Sequence, residues 1–269
     1  MVDAEAFDPE GARRDVKMKE HPMNKHFLVT AATIAVASIP PIAAWAQADI
    51  PLKEAKLIIE HNATAHDTGF QGFIDSDGWK ELTVTGPNGD VLNFKGVGSL
   101  GRLGLTELFF ETVEPENVDV PIPRMLAKLP AGQYRISGPA VGEGVPPGTQ
   151  TSGVALLTHV IPAGPKLLAP AEGAKVPAGP LTVKWKPVTT TISGGPVNII
   201  SYQLIVEKNG PPDPNYIGKR GLSMYLPATV TQIGLPTGFL EAGSLYDWEV
   251  LAIEESGNQT LSSSSFTTQ

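Results

Sequence analysis

His61, His66, Asp67, Asp75 and Asp77 stand in one short stretch, interleaved with Asn62 and Thr64 and followed by Gly78 and Trp79. Asp75-Ser76-Asp77-Gly78 sets two carboxylates two places apart ahead of a glycine. That spacing can turn oxygen ligands toward one hard cation, so Asp67, Asp75 and Asp77 form a candidate calcium site. A complete EF-hand loop would carry further oxygen ligands and a closing glutamate; here Lys80 intrudes, with Glu81 one place beyond. The competing account is an Asx turn, in which the short Asp side chain bonds its own backbone. His61 and His66 offer imidazole nitrogens to zinc beside Asp67. Their separation of five is not that of a helical pair, and a strand would send them to opposite faces, so only a loop would bring them together. The plainer account is two solvated loop histidines.

Other chemistry has less to build on. No Gly-x-Ser-x-Gly elbow occurs, cysteine is absent, and Ser262 to Ser265 have no histidine nearby in the chain. Glu114 with Glu116 and Glu254 with Glu255 could serve glycoside hydrolysis only if held across a cleft; on their Pro-flanked or polar loops they are expected to be solvated. His159, in an apolar stretch, is expected to be packed or hydrogen-bonded. No glycine-rich phosphate loop joins a strand to a helix.

The elements that must position these residues are short strands. Gly and Pro number 28 and 25 and recur between β-branched and aromatic runs, which favours strands over helices. Lys56 to Glu60 reads as a strand leading into a polar loop, His61 to Thr68. Leu82 and Val84, then Val91, Leu92 and Phe94, flank Gly86-Pro87-Asn88-Gly89-Asp90, a hairpin signal with a tight primed turn. Leu105 to Glu111 is a further strand, Met125 to Leu129 a helical turn, and Tyr134 to Ser137 and Val154 to Val160 complete an immunoglobulin-like region. Ile161-Pro162-Ala163-Gly164-Pro165 marks a boundary, giving domains 49–163 and 164–269. In the second, Leu181, Val183 and Trp185 alternate, as do Ile200, Tyr202, Leu204 and Val206. Leu226 to Thr231 is read as a strand, and Ser262 to Phe266 closes the sheet. Leu240, Gly243 and Tyr246 lead into Trp248, Val250 and Ala252, the pattern of a tyrosine corner and an interior-facing strand that leaves Asp247 and Glu249 toward water.

Trp185 early, Tyr202 in the third strand and the Leu240–Tyr246 corner late together resemble a fibronectin type III domain. The resemblance implies a scaffold fold, with Trp185 between the sheets and the Tyr246 hydroxyl bonded to backbone near Leu240. The whole chain, through Asn62-Ala63-Thr64, Leu105 to Glu111 and Glu249 to Glu254, resembles exported bacterial proteins with a C-terminal domain of this type, a group that implies organisation and location only. The expected fold is therefore all-β: two tandem β-sandwiches, immunoglobulin-like then fibronectin type III-like, with at most one short helix in the first.

Residues 1–48 read as an extension and signal peptide: Lys25 and His26 precede the apolar run Phe27 to Ile39, and Ala46-Gln47-Ala48 offers a cleavage site. Acidic residues before Met18 point to Met18 or Met23, rather than Met1, as the start. A periplasmic or secreted protein without integral membrane contact follows. The formal charge of −8 argues against nucleic acid. No cofactor is expected beyond an optional calcium ion. The functional expectation is a non-catalytic exported binding protein whose sandwich loops or edges hold a protein or glycan partner. The alternatives are a metal-dependent hydrolase at the His/Asp stretch and a purely structural accessory module.

Overall fold

Apolar residues at every second position draw nearly every segment into a strand. The computed structural model describes residues 48–212, 214–215 and 219–269, so the expected leader and its cleavage motif, apart from Ala48, lie outside the described residues. The first half contains β1 (Ile50–Pro51), β2 (Glu54–Asn62), β3 (Asp67–Trp79), β4 (Glu81–Gly86), β5 (Gly89–Lys95), β6 (Leu105–Glu111), β7 (Gly132–Pro139) and β8 (Gln150–Leu157). Helices α1 (Gly98–Leu103) and α2 (Ile122–Leu126) flank β6. The second half contains β9 (Leu167–Ala169), β10 (Ala174–Val176), β11 (Thr182–Trp185), β12 (Ile199–Lys208), β13 (Gly221–Pro227), β14 (Gln232–Gly234), β15 (Leu245–Glu254) and β16 (Gln259–Thr268). Among the described residues no helix is long and apolar enough to cross a membrane.

Three sheets result. One has the order β1-β8-β7-β4-β5, a second β14-β11-β9, and the third runs β13-β12-β15-β16-β2-β3-β6 through both halves, with β10 paired to β16. The fold is all-β, built as two sandwiches, but they are not beads on a string. Strand β16 pairs in parallel with β2, setting Gln259 beside Glu60 and Leu261 beside Asn62, so one sheet serves both sandwiches.

Each sandwich has its own core. Leu57, Ile59, Phe70, Ile74, Trp79, Leu82, Tyr134 and Ile136 fill the first; Val183, Trp185, Tyr202, Leu204, Trp248, Val250 and Phe266 fill the second. Trp185 meets Tyr202 edge-on at 5.6 Å, and the Tyr202 hydroxyl accepts a bond from the Val188 amide at 2.8 Å, which gives the phenol's polar end its partner in the core. The Tyr246 hydroxyl accepts from the Glu241 amide at 2.9 Å and donates to the Phe239 carbonyl at 3.5 Å; Leu240 is buried and Gly243 takes φ 66° at the corner. The first sandwich has its own version, with the Tyr134 hydroxyl donating to the Pro130 carbonyl at 2.7 Å. Tyr246→Phe is expected to cost about 1 kcal/mol, the net worth of a buried hydrogen bond, read as a small fall in the denaturant midpoint with unchanged slope.

Several expectations are corrected. The first half carries two short helices, because the Gly98–Leu103 segment coils where a Cβ on Gly101 would lie 2.3 Å from the Gly96 carbonyl oxygen, a close approach that periodicity does not reveal. The Gly86–Asp90 hairpin forms, but positive φ occurs at Gly89 and not at Asn88; Pro87, with its fixed negative φ, rules out a primed turn. The strand expected at Leu226 to Thr231 lies earlier, at Gly221–Pro227. Ile200 is exposed because the ladder shifts register between Ile199 and Ser201. The stretch from His61 to Thr68 is the end of β2, a tight turn and the start of β3, rather than a long polar loop.

Candidate metal centre

Strands β2, β3 and β6 send alternate side chains to the outer face of the shared sheet. Ladder registers set Glu60 opposite Gly69, Ile58 opposite Gln71, and Gln71 opposite Glu111, so Glu60, Gln71 and Glu111 share that face across three strands. The segment after β6 then brings Glu114 over Gly69, where a Cβ would sit 2.7 Å from Glu114 Cγ; only glycine leaves room for the side chain there. Carboxylate oxygens of Glu60, Glu111 and Glu114 lie within 4.8 Å of one another.

These carboxylates crowd one another with little to offset their charge. Gln71 Nε2 donates to Glu111 Oε1 at 3.0 Å, and Gln259 Nε2 donates to Glu60 Oε2 and, at 3.3 Å, to Gln71 Oε1. Glu114 Oε1 is buried without a hydrogen-bond partner, as is Asp67 Oδ1. Burial, followed by repulsion from Glu60, Glu111 and Asp67, pushes the Glu114 carboxyl up to about 7. Burial likewise raises Glu60, against the stabilising amide of Gln259. Three carboxylates sharing one small volume are a donor set suited to a hard divalent cation such as calcium, whose charge would relieve the repulsion that now favours protons.

The sequence-predicted residues occupy different places. Asp67 begins β3 while Asp75 and Asp77 lie near its far end, so eight residues of extended chain, roughly 26 Å, separate Asp67 from Asp75. Asp77 forms an exposed ion pair with Lys53 at 2.7 Å. The structure brings Asp67 toward Glu114 instead. His61 is buried, its Nδ1 within 2.9 Å of both the Asp67 carbonyl and Thr68 Oγ1, and burial lowers its pKa. His66 is exposed at the turn with φ 62°. His61, His66 and Asp67 act on one another electrostatically, but the His61 Nδ1 is already engaged by the Asp67 carbonyl and Thr68. His159 Nε2 bonds the Leu129 carbonyl at 2.9 Å, as a packed or hydrogen-bonded histidine should.

Glu114 and Glu254 are not the solvated loop acids expected. Glu254 is buried and accepts from the Ser256 amide at 3.0 Å and from Ser256 Oγ, closing the β15–β16 turn. Asp247 and Glu249 are half-buried rather than turned to open water, and burial together with Glu207 raises Glu249.

No protein-family model matches this sequence, and comparison with curated proteins finds no match. Among solved structures, the chain is similar to the third fibronectin III domain of human KIAA0343 protein. That likeness has a TM-score of 0.29 at 19% identity and covers 40% of this chain and 81% of that one. It is also similar to the fibronectin(III)-like modules of Clostridium thermocellum CbhA, with a TM-score of 0.30 at 11% identity over 81% of this chain and 93% of that one. The fold assignment made above rests on strand order and the tyrosine corners.

Proposed function

We propose that this chain is a non-catalytic exported binding protein that works through the outer face of its shared sheet, with a divalent cation, calcium by preference, held by Glu60, Glu111 and Glu114. The supporting observation is the convergence of three carboxylates within 4.8 Å around a buried oxygen that has no partner. Such a centre ties β2 to the end of β6 and the segment after it, and so stiffens the face offered to a protein or glycan partner. Cation binding and folding are then linked, because an ion that binds only the native state stabilises it by RT ln(1 + [L]/Kd).

The test is thermal unfolding of the full chain at pH 8 with calcium, with zinc and with a chelator. At a hundred times its dissociation constant calcium should contribute about 2.7 kcal/mol, which raises Tm by several degrees; zinc, which favours nitrogen and sulfur ligands, should do less. A melting curve that calcium leaves unmoved would overturn the cation centre.

A further inference from the structure

A second feature, independent of the carboxylates, lies on the opposite side of β2, β3 and β6. Between the two sheets of the first sandwich is a hollow of about 430 Å³. Its floor is made by Leu57, Phe70 and Met125, all buried core residues, and Phe110 forms one wall. Packed interiors leave few voids larger than a water molecule, and an apolar hollow holds water poorly because it offers no hydrogen bonds. This one opens to solvent at Val113, which is 86% exposed.

The segment after β6 divides its side chains between two sites. Glu114 turns over Gly69 on the outer face, while Val113 and Pro115 line the hollow. On the other rim, the turn after α2 is held by the Lys128 and Leu129 amides bonding back to the Met125 and Leu126 carbonyls. It places Lys128 as the single charged residue in the lining. Lys128 is exposed and makes no ion pair among the described residues.

We infer that the hollow binds a medium-chain fatty acid of about twelve carbons, with the hydrocarbon tail between the sheets and the carboxylate at Lys128. The volume falls within the range of small-molecule sites, and an apolar cavity with one placed polar group is their usual construction. The tail removes Phe110, Val113 and its own methylenes from water, which supplies the affinity. The ammonium selects an anionic head over a neutral one.

Titrating the full chain with dansyl-labelled undecanoic acid tests this. Saturable, one-to-one binding with enhanced, blue-shifted emission is expected, and unlabelled lauric acid should displace the probe. Dodecanol should compete roughly tenfold less well, the scale of one partly exposed charge pair. Lys128→Glu, an exposed change that leaves the core alone, should weaken the acid by at least that factor and leave the alcohol unchanged. Met125→Trp should fill the hollow and abolish binding of both. Absence of saturable binding to the wild-type chain would overturn the inference, as would equal competition by acid and alcohol that Lys128→Glu does not alter. Calcium-dependent melting would be unaffected by either result, so this inference and the cation centre can fail separately.

Discussion

Asn258→Ala should lower Tm by roughly 6 to 12 °C, the equivalent of about 3 kcal/mol in a chain of this size. Asn258 is 1% exposed and stands where the two sandwiches meet. Its Oδ1 accepts from the Ile59 amide at 2.8 Å. Its Nδ2 reaches the Thr158 carbonyl at 3.1 Å, Thr158 Oγ1 at 2.9 Å and the Val160 carbonyl at 2.8 Å. One amide on the β15–β16 turn thus bonds β2 and the segment that follows β8 out of the first sandwich. Alanine would leave buried backbone groups on both sides without partners, each costing more than a hydrogen bond normally contributes. Because the shared sheet runs through this point, the wild-type chain should melt in one transition and the variant in two. Asn198→Ala, which removes an exposed amide bonded to Glu255 at 3.1 Å, is the matched control and should shift Tm by less than about 2 °C. Equal, small effects of the two substitutions would show that the seam contributes little to stability.

The same residue shows how far the sequence can be read. Asn258-Gln259-Thr260 looks from spacing alone like an idle glycosylation motif, yet its amide is a junction, because the partners at Ile59 and Thr158 lie far away in the chain. Alternation in Val183–Trp185 and Tyr246–Ala252 reports which face is buried, a local property, and those cores are legible for that reason. The parallel pairing of β16 with β2 joins segments from opposite ends of the described chain and leaves no local trace. Glu60 and Glu111 escaped notice on similar grounds. Each is the polar half of a half-buried strand, and only the registers β2–β3–β6 set them side by side. Glu114 carries one partial signal, the glycine at position 69 that makes room for it, but that becomes informative only once the strands are paired. The His61–Asp77 stretch misleads in the opposite direction. Neighbours in sequence are spread along an extended strand, so closeness in the chain becomes separation in space.

Replacing Glu114 by glutamine should stabilise the calcium-free chain at pH 8 and do little at pH 4. Folded Glu114 takes up its proton at about pH 7, against an ordinary value of 4.5. Between those values the native state binds a proton that the unfolded state has released, so this group's favourable contribution is present at low pH and is lost as pH rises through 7. His61 works with the opposite sign. Burial lowers its pKa, so the stability it withholds in acid returns as pH rises through about 6.5. A wild-type pH profile mixes the two, whereas the difference between wild type and Glu114→Gln isolates the carboxylate. The shift of Glu114, discounted for its solvent-facing side, corresponds to about 1 to 2 kcal/mol, hence roughly 3 to 6 °C gained by the variant at pH 8. The amide keeps the shape of the protonated acid and offers its own donor to Glu60 or Glu111. Calcium should reverse the order at pH 8 by stabilising the wild type more than the variant, since the substitution removes one anionic ligand. Parallel melting profiles for the two proteins from pH 4 to 8 would show that Glu114 ionises without strain and remove the electrostatic basis for a cation at this face.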